Sequence, residues 1–453
     1  MSRKFLTFLG TTSYSKACYT LGDKAFETSF VQMALLDFLG PFDESFIFVT
    51  EDAKKKNWEA LSQEMKQCGK DAIMKLVDIP AGKNEQEIWE IFSTIRSRIG
   101  GKDVVVFDTT HSFRSIPILT LACIQYMRSL ESVQLERIVY GAWEAREMDA
   151  SSGISPKTPV FDLTPFVKLM DWSYAISEFS KYGHLNLLNE LVSSDDNVHL
   201  MSKKLQTNLR KMVKDMLKLQ QAILTCRGRT ISEGKLLTEI MSNLKQLKKN
   251  PQELPQAFQP LLEKLEAKLV KLEGRHDIPI SNEARFGFGA VEWCLSHGLI
   301  QQAYTIFQES VLTHFCQLAG LDYREKKDRE LSSQSARTFN KVYDDWFEEA
   351  KGHREIVETI HKKAGCCTLA KYNSLSDNRN DINHMKIKST VTPEKLTEQI
   401  SEAFSRIVES FSEIGQDQSA RHVRLYHNTM ALRIVCHLHS AWRKFKTCVR
   451  MSV

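Results

Sequence analysis

The hydrophobic pattern of this chain changes period once, close to Pro165. Before that point, short runs rich in β-branched and aromatic residues alternate with stretches whose apolar positions recur every three to four residues. The runs Lys4–Leu9, Ser45–Thr50, Ile73–Asp78, Asp103–Asp108 and Arg137–Gly141 predict strands. Between them, Thr28–Leu39, Lys54–Cys68, Glu85–Ile99 and Ile116–Leu130 predict amphipathic helices. Alternation of this kind specifies a parallel sheet covered by helices on both faces. Residues 1–165 are therefore expected to form an α/β, Rossmann-like domain.

After Pro165 the strand signal stops. Phe166–Val192 has helical spacing, and residues 201–275 are dense in Leu, Lys and Gln, so 166–284 is expected to be a helical connecting region. Residues 285–415 predict a second, all-α domain with helices at Phe288–Ala319, Ser335–Lys351, Glu355–Ala364, Asp377–Lys386 and Pro393–Ile414. The last has a clear start, with Thr392 as cap, Pro393 at the first helical position and Glu394 in the first turn. Residues 201–250 hold 12 Lys/Arg against 3 Asp/Glu, which suits either a solvated helical face or an RNA-contacting one.

Composition changes this picture little. At 453 residues, 42% hydrophobic and 26% charged, the chain has the profile of a soluble globular protein of about three domains. No apolar stretch approaches the ~20 residues that span a bilayer, and Met1-Ser2-Arg3-Lys4 leads straight into a strand pattern. Ten scattered cysteines without a C-x-x-C pair point to reduced thiols and a cytoplasmic setting, with no metal site expected. The net charge of +5 is concentrated at the end: seven Lys/Arg and no acid follow Asp417. The rest is near neutral, so any anionic partner must be recognised by local sites.

Two such sites stand out. Asp108-Thr109-Thr110-His111-Ser112-Phe113-Arg114-Ser115 follows the apolar run Val104–Phe107 and opens the next helix. Leu9-Gly10-Thr11-Thr12-Ser13-Tyr14-Ser15 follows the first strand in the same way. Ligands of open α/β sheets bind beyond the carboxyl ends of the strands, where helix N-termini favour phosphate. Gly10 permits close backbone approach, and the hydroxyls can bond phosphate or ribose. Tyr140 and Gly141, ending the next strand, are placed to line the same crevice. Ordinary turn and capping chemistry accounts for either loop alone; two loops at strand ends of one sheet favour a ligand. The spacing fits neither a dinucleotide fingerprint nor a P-loop.

The second site is Arg379-Asn380-Asp381-Ile382-Asn383-His384. With Ser376 or Asp377 as cap, this segment is expected to be helical. At about 100° per residue, Arg379, Asn383, Asn380 and His384 then fall at roughly 0°, 40°, 100° and 140°, with Met385 pointing the other way at about 240°. A solvated helix face with a lone histidine is the plain alternative. Arg379 and His384 splay too far apart to serve each other, which suggests a groove shared with a second copy.

In combination, these motifs resemble those of the CARF–HEPN ribonucleases of type III CRISPR systems. The carrying residues are Phe8-Leu9-Gly10-Thr11-Thr12, Asp108 to Ser115, the Trp293-Cys294-Leu295 to Glu309 stretch and Arg379-Asn380-x-x-x-His384, and the likeness covers residues 1–415. It implies a sensing CARF domain and a catalytic HEPN domain, assembled as a homodimer or higher oligomer. It implies an allosteric activator, a cyclic oligoadenylate with cyclic tetra-adenylate favoured, bound by Gly10, Thr11, Thr12, Ser13, Tyr14, Asp108, Thr109, Thr110, His111, Ser112, Phe113, Arg114 and Ser115. The substrate would be single-stranded RNA, cut without metal or other cofactor by Arg379, Asn380 and His384. The chemistry is compatible with those residues. RNA supplies its own 2′-hydroxyl nucleophile, His384 can exchange protons, and Arg379 can stabilise the pentavalent phosphate, leaving a 2′,3′-cyclic phosphate and a 5′-hydroxyl. A non-catalytic ligand-sensing regulator and a ring nuclease that degrades its own activator are the competing readings. Residues 416–453, with His422, His427, His437 and His439, have no counterpart in the resemblance.

Overall fold

In the computed structural model, residues 1–111, 116–147, 155–194, 202–249, 258–384 and 391–412 are described. The chain divides into two units, Met1–Met170 and Asp171–Val453.

The first unit is built on eight strands: β1 (Arg3–Leu9), β2 (Ala17–Leu21), β3 (Lys24–Thr28), β4 (Glu44–Val49), β5 (Met74–Asp78), β6 (Val104–Asp108), β7 (Gln134–Gly141) and β8 (Lys157–Asp162). They form one sheet in the order β3-β2-β8-β7-β6-β1-β4-β5. The five central strands, from β7 to β5, are parallel, and β1 lies between β4 and β6. That order reverses the direction of winding beside β1, which opens a crevice at the carboxyl ends of β1 and β6.

Strand alternation divides the core into two layers. Phe5, Ile47, Val49 and Val106 join Val31, Leu35, Leu61 and Met65 on one face. Leu6, Phe8, Phe46, Phe48, Val105 and Phe107 join Ile91, Ile95, Ile124 and Met127 on the other. Helices Val31–Leu39 and Glu59–Gln67 therefore cover one side, and Glu85–Arg96 and Ile116–Glu131 the opposite one. The helix ending at Gln67 starts at Glu51 and widens into a π-helical turn over Lys54–Trp58.

Three strands were absent from the sequence expectation. β2 and β3 form a hairpin, and β8 joins it to β7. They are short, and β3 leaves Lys24, Ala25 and Glu27 exposed, so no apolar run marks it. Thr28 accordingly closes β3 rather than opening a helix; its hydroxyl accepts from Phe30 N at 2.9 Å, and the helix begins at Val31. β7 begins at Gln134, earlier than the apolar residues alone indicate.

The second unit is helical in its described residues. The expected Phe288–Ala319 helix is two, Asn282–Ser296 and Ile300–Leu318, because Gly298 adopts φ +70° and turns the chain. The expected Ser335–Lys351 helix is replaced by Lys326–Arg337. Thr338 ends it, its hydroxyl donating to Ser335 O at 2.6 Å, and Asn340 then sits at φ +67°. The helix expected over Asp377–Lys386 begins at Cys366 and ends at Asn383. Ser376 and Asp377 are thus interior residues rather than caps; Gly365, at φ +78°, is the residue that opens the helix. A helix over residues 393–412 follows, with the Thr392 hydroxyl accepting from Lys395 N at 3.3 Å as expected. Phe288, Phe307, Phe404 and Phe411 pack at ring separations of 5.4–5.9 Å and bind these helices into one core. No described helix is long and apolar enough to cross a membrane.

Candidate functional site

At the crevice, the loops after β1 and β6 touch. Gly10 N donates to the Tyr14 hydroxyl at 2.8 Å, and the Tyr14 ring meets the His111 ring edge-on at 4.4 Å. A methyl group on Gly10 would stand 3.0 Å from that hydroxyl and 3.3 Å from His111 Cβ, so glycine is what admits this approach. The loop is held from below by Asn57, whose amide donates to Gly10 O at 2.8 Å and Thr12 O at 2.9 Å. Thr11, Thr12 and Ser13 remain exposed at the rim.

Asp108 is the buried anchor of the second loop. Its carboxylate accepts from Thr7 Oγ1 at 2.6 Å, from Thr110 N at 2.9 Å and from the Thr110 hydroxyl. Burial pushes its pKa up, and those hydrogen bonds work against the rise. Thr110 Oγ1 in turn accepts from Gly141 N at 2.8 Å, while Thr109 N donates to Val139 O at 3.0 Å. A side chain on Gly141 would come within 2.8 Å of Val31. Tyr140 donates to Glu144 at 2.6 Å, and its own pKa is raised to about 12 by burial and that carboxylate.

His111 differs from its neighbours. Its Nε2 is enclosed and has no hydrogen-bond partner among the described residues. Burial lowers its pKa to about 4, so the imidazole is neutral near pH 7. Leaving a buried nitrogen unmatched costs about 1–3 kcal/mol unless a ligand or water supplies a partner. The remaining residues singled out here, Ser112, Phe113, Arg114 and Ser115, lie outside the described residues.

The second candidate site is at the end of helix Cys366–Asn383. Arg379 Nε donates at 2.8 Å to Gln308, a buried glutamine on Ile300–Leu318. Asn378 reaches Tyr304 Oη at 3.2 Å and Gln399 at 3.1 Å, and Tyr304 donates to Leu396 O at 2.8 Å. Gln301 donates to Asn383 at 3.1 Å. The arginine's flank is therefore docked on two neighbouring helices, while Asn380 and His384 are exposed. His384 is the C-cap, at φ −102° and ψ 10°, so it lies just past the helical wheel on which it was placed. Met385 lies outside the described residues, as does the 416–453 tail.

Sequence reasoning missed Thr7, Asn57 and Gln308. A glutamine between Phe307 and Val311 on an apolar helix was a usable signal for Gln308. Nothing marked Asn57, which follows three lysines in a solvated-looking segment.

Residues 4–144 match the family model described as CRISPR system endoribonuclease Csx1, CARF domain. The match lies within the first unit, whose residues 4–144 are similar to a CARF domain. The CRISPR-associated protein MJ1674 of Methanocaldococcus jannaschii is 24% identical over 399 residues, which is 85% of this chain and 56% of that protein. The chain spans little more than half the length of this relative.

Proposed function

We propose that the protein is an endoribonuclease switched on by a cyclic oligoadenylate, cyclic tetra-adenylate being favoured, and that it acts as a homodimer. The carrying observation is the coexistence of two features in one chain. One is a crevice in the CARF-like unit where the enclosed His111 Nε2 has no partner among the described residues. The other is a helix end on which Arg379 is pinned to Gln308 beside exposed Asn380 and His384. A ribose hydroxyl can match the neutral imidazole as donor or acceptor, and the exposed Thr11, Thr12 and Ser13 suit phosphate oxygens. Asp108 and Thr110 hold the second loop in place, and Gly141 is bonded to it through Thr110.

In the helical unit, an arginine engaged through Nε presents its two terminal NH₂ groups as a fork for a phosphate in its pentavalent state. His384 transfers the proton of the attacking 2′-hydroxyl or of the leaving 5′-oxygen, and Asn380 orients the phosphate. A second copy of the helix end completes the groove. The reading is of a HEPN-type site, with a 2′,3′-cyclic phosphate product. Cleavage of activator by the CARF crevice is less well supported, because a histidine held near pKa 4 is a weak base at neutral pH.

The test is RNA cleavage, followed with a quenched fluorescent single-stranded RNA, against a panel of cyclic and linear oligoadenylates. Cleavage dependent on one ring size is expected. Activator binding without any RNA cleavage would leave the regulator reading in its place.

A further inference from the structure

Helix Ile300–Leu318 has a second polar neighbourhood, away from Gln308. Between it, the short helix Gly228–Ser232 and the turn leading into Lys326–Arg337 lies a cavity of about 430 Å³. That volume falls in the ~300–1,000 Å³ range of small-molecule sites. Three arginines line it: Arg229, Arg324 and Arg329.

Each arginine is already oriented by a carboxylate. Arg229 Nε donates to Glu233 at 2.8 Å and Arg324 Nε to Asp322 at 3.2 Å. Arg329 bonds Thr313 Oγ1 at 3.2 Å, Tyr323 O at 3.0 Å and the Glu309 carboxylate. Among the described residues, the terminal NH₂ groups of Arg229 and Arg324 have no acceptor, which leaves both forks open to a ligand oxygen. Glu233, Asp322 and Glu309 offset the charge of the arginines, and Glu283 adds to the acids near Tyr323, so the site suits a single phosphate group better than a polyphosphate. Tyr323 lines the same space, half-buried, with no aromatic partner among the described residues and the Arg324 guanidinium 5.5 Å from its ring centroid. A tyrosine ring that shares a cavity with arginines is the arrangement that stacks a base beside a bound phosphate.

We infer that this cavity is a nucleotide site in its own right, holding one phosphate on Arg229 and Arg324 and one base on Tyr323. It goes beyond the ribonuclease reading and does not depend on it. The occupant is a nucleoside monophosphate unit, either free or at the 5′-phosphorylated end of an RNA strand.

Cys226 gives a local readout, since its free thiol lines the cavity. The full chain is alkylated with iodoacetamide at mildly alkaline pH, and the rate at Cys226 is followed by peptide mass spectrometry. Uridine monophosphate, a pyrimidine chosen to avoid the adenylate crevice, is compared with uridine. A 2′-O-methyl RNA trimer, which cannot be cut through its own 2′-hydroxyl, is compared with and without a 5′-phosphate. At ligand concentrations about twice the dissociation constant, protection of about threefold is expected from the phosphorylated member of a pair and not from the other. Protection by the monophosphate alone identifies a free nucleotide, and protection by the phosphorylated trimer identifies an RNA end. The doubly substituted Arg229→Ala, Arg324→Ala chain should weaken binding about tenfold or more. Both side chains are largely exposed, and a thermal melt matching the unsubstituted protein checks its fold. Equal protection by uridine and uridine monophosphate, no protection by any probe, or full protection in the double variant would overturn the inference. Loss of RNA cleavage in the panel experiment would leave this readout untouched.

Discussion

The CARF crevice and the Arg379–His384 helix end differ in how much of each is finished within one chain. At the crevice, Gly10 is bonded to Tyr14 and Asn57, Thr110 is bonded to Asp108 and Gly141, and the Tyr14 and His111 rings join the two groups. At the helix end, the side-chain hydrogen bond that ties the candidate catalytic set to its surroundings among the described residues is Arg379 to Gln308. A pocket that must discriminate a ligand benefits from being preformed. A site that must stay silent until signalled benefits from being incomplete. Under the proposed function, the contrast places regulation in the assembly of the second site rather than in the shape of the first.

The largest effect that would break or uphold this contrast is at His384. In His384→Ala, RNA cleavage at saturating activator should drop by about 10²–10⁴-fold, the usual worth of a proton-transfer group. Activator affinity, measured by calorimetry, should be unchanged. Cleavage near the unsubstituted rate would remove the helix end from the mechanism altogether.

Next in size is a pH effect confined to the crevice. His111 stays neutral in the folded protein down to about pH 4, whereas in the unfolded chain it takes up a proton near 6.5. The unfolded state therefore binds more protons between those values, so the His111 contribution is complete above pH 6.5 and is lost as the pH falls toward 4. Denaturant titrations should find up to about 3 kcal/mol of this slope missing in His111→Phe. An unchanged slope would mean the ring is not enclosed as described.

A smaller effect tests the tether. Gln308→Leu keeps the packing volume and removes the acceptor for Arg379, so kcat should fall about tenfold with activator affinity intact. If activator affinity falls as well, the two sites are coupled through Gln308. The smallest effect expected is that of Asn57→Ala, which frees the carbonyls of Gly10 and Thr12. Activator affinity should weaken about fivefold, with cleavage restored at high activator concentration.

Much of the first unit was legible because its parallel strands are covered on both faces and so appear as unbroken apolar runs. Val104–Asp108 and Glu44–Val49 need no partner to be recognised. The hairpin β2–β3 was not legible, since Lys24–Thr28 carries few apolar residues and depends on its neighbours for definition. In the helical unit, period and polarity located the segment around Arg379 but misjudged its start. Gly365 is an ordinary helix breaker, whereas Ser376 has the identity of a cap and the position of a core residue. The rim residues carry their own chemistry in sequence. Their supports, Asn57 and Gln308, act through folds of the chain that bring residue 57 beneath residue 10 and residue 308 beside 379, and no local pattern encodes such meetings.

The wide turn at Lys54–Trp58 has a consequence for how helices of this type diverge. Ala53, Asn57, Leu61 and Met65 are all buried at a strict spacing of four, whereas a regular α-helix would rotate that row by about 40° at each step. A looser turn absorbs part of the drift, so the amide that grips the ligand loop and the methyl groups that fill the core share one face. Removing a single solvent-side lysine from this turn would tighten it and swing Asn57 off the carbonyls it serves. Length variation on the outside of a helix, ordinarily counted as evolutionary noise, here becomes a way to shift the loop after β1 without altering any residue of that loop.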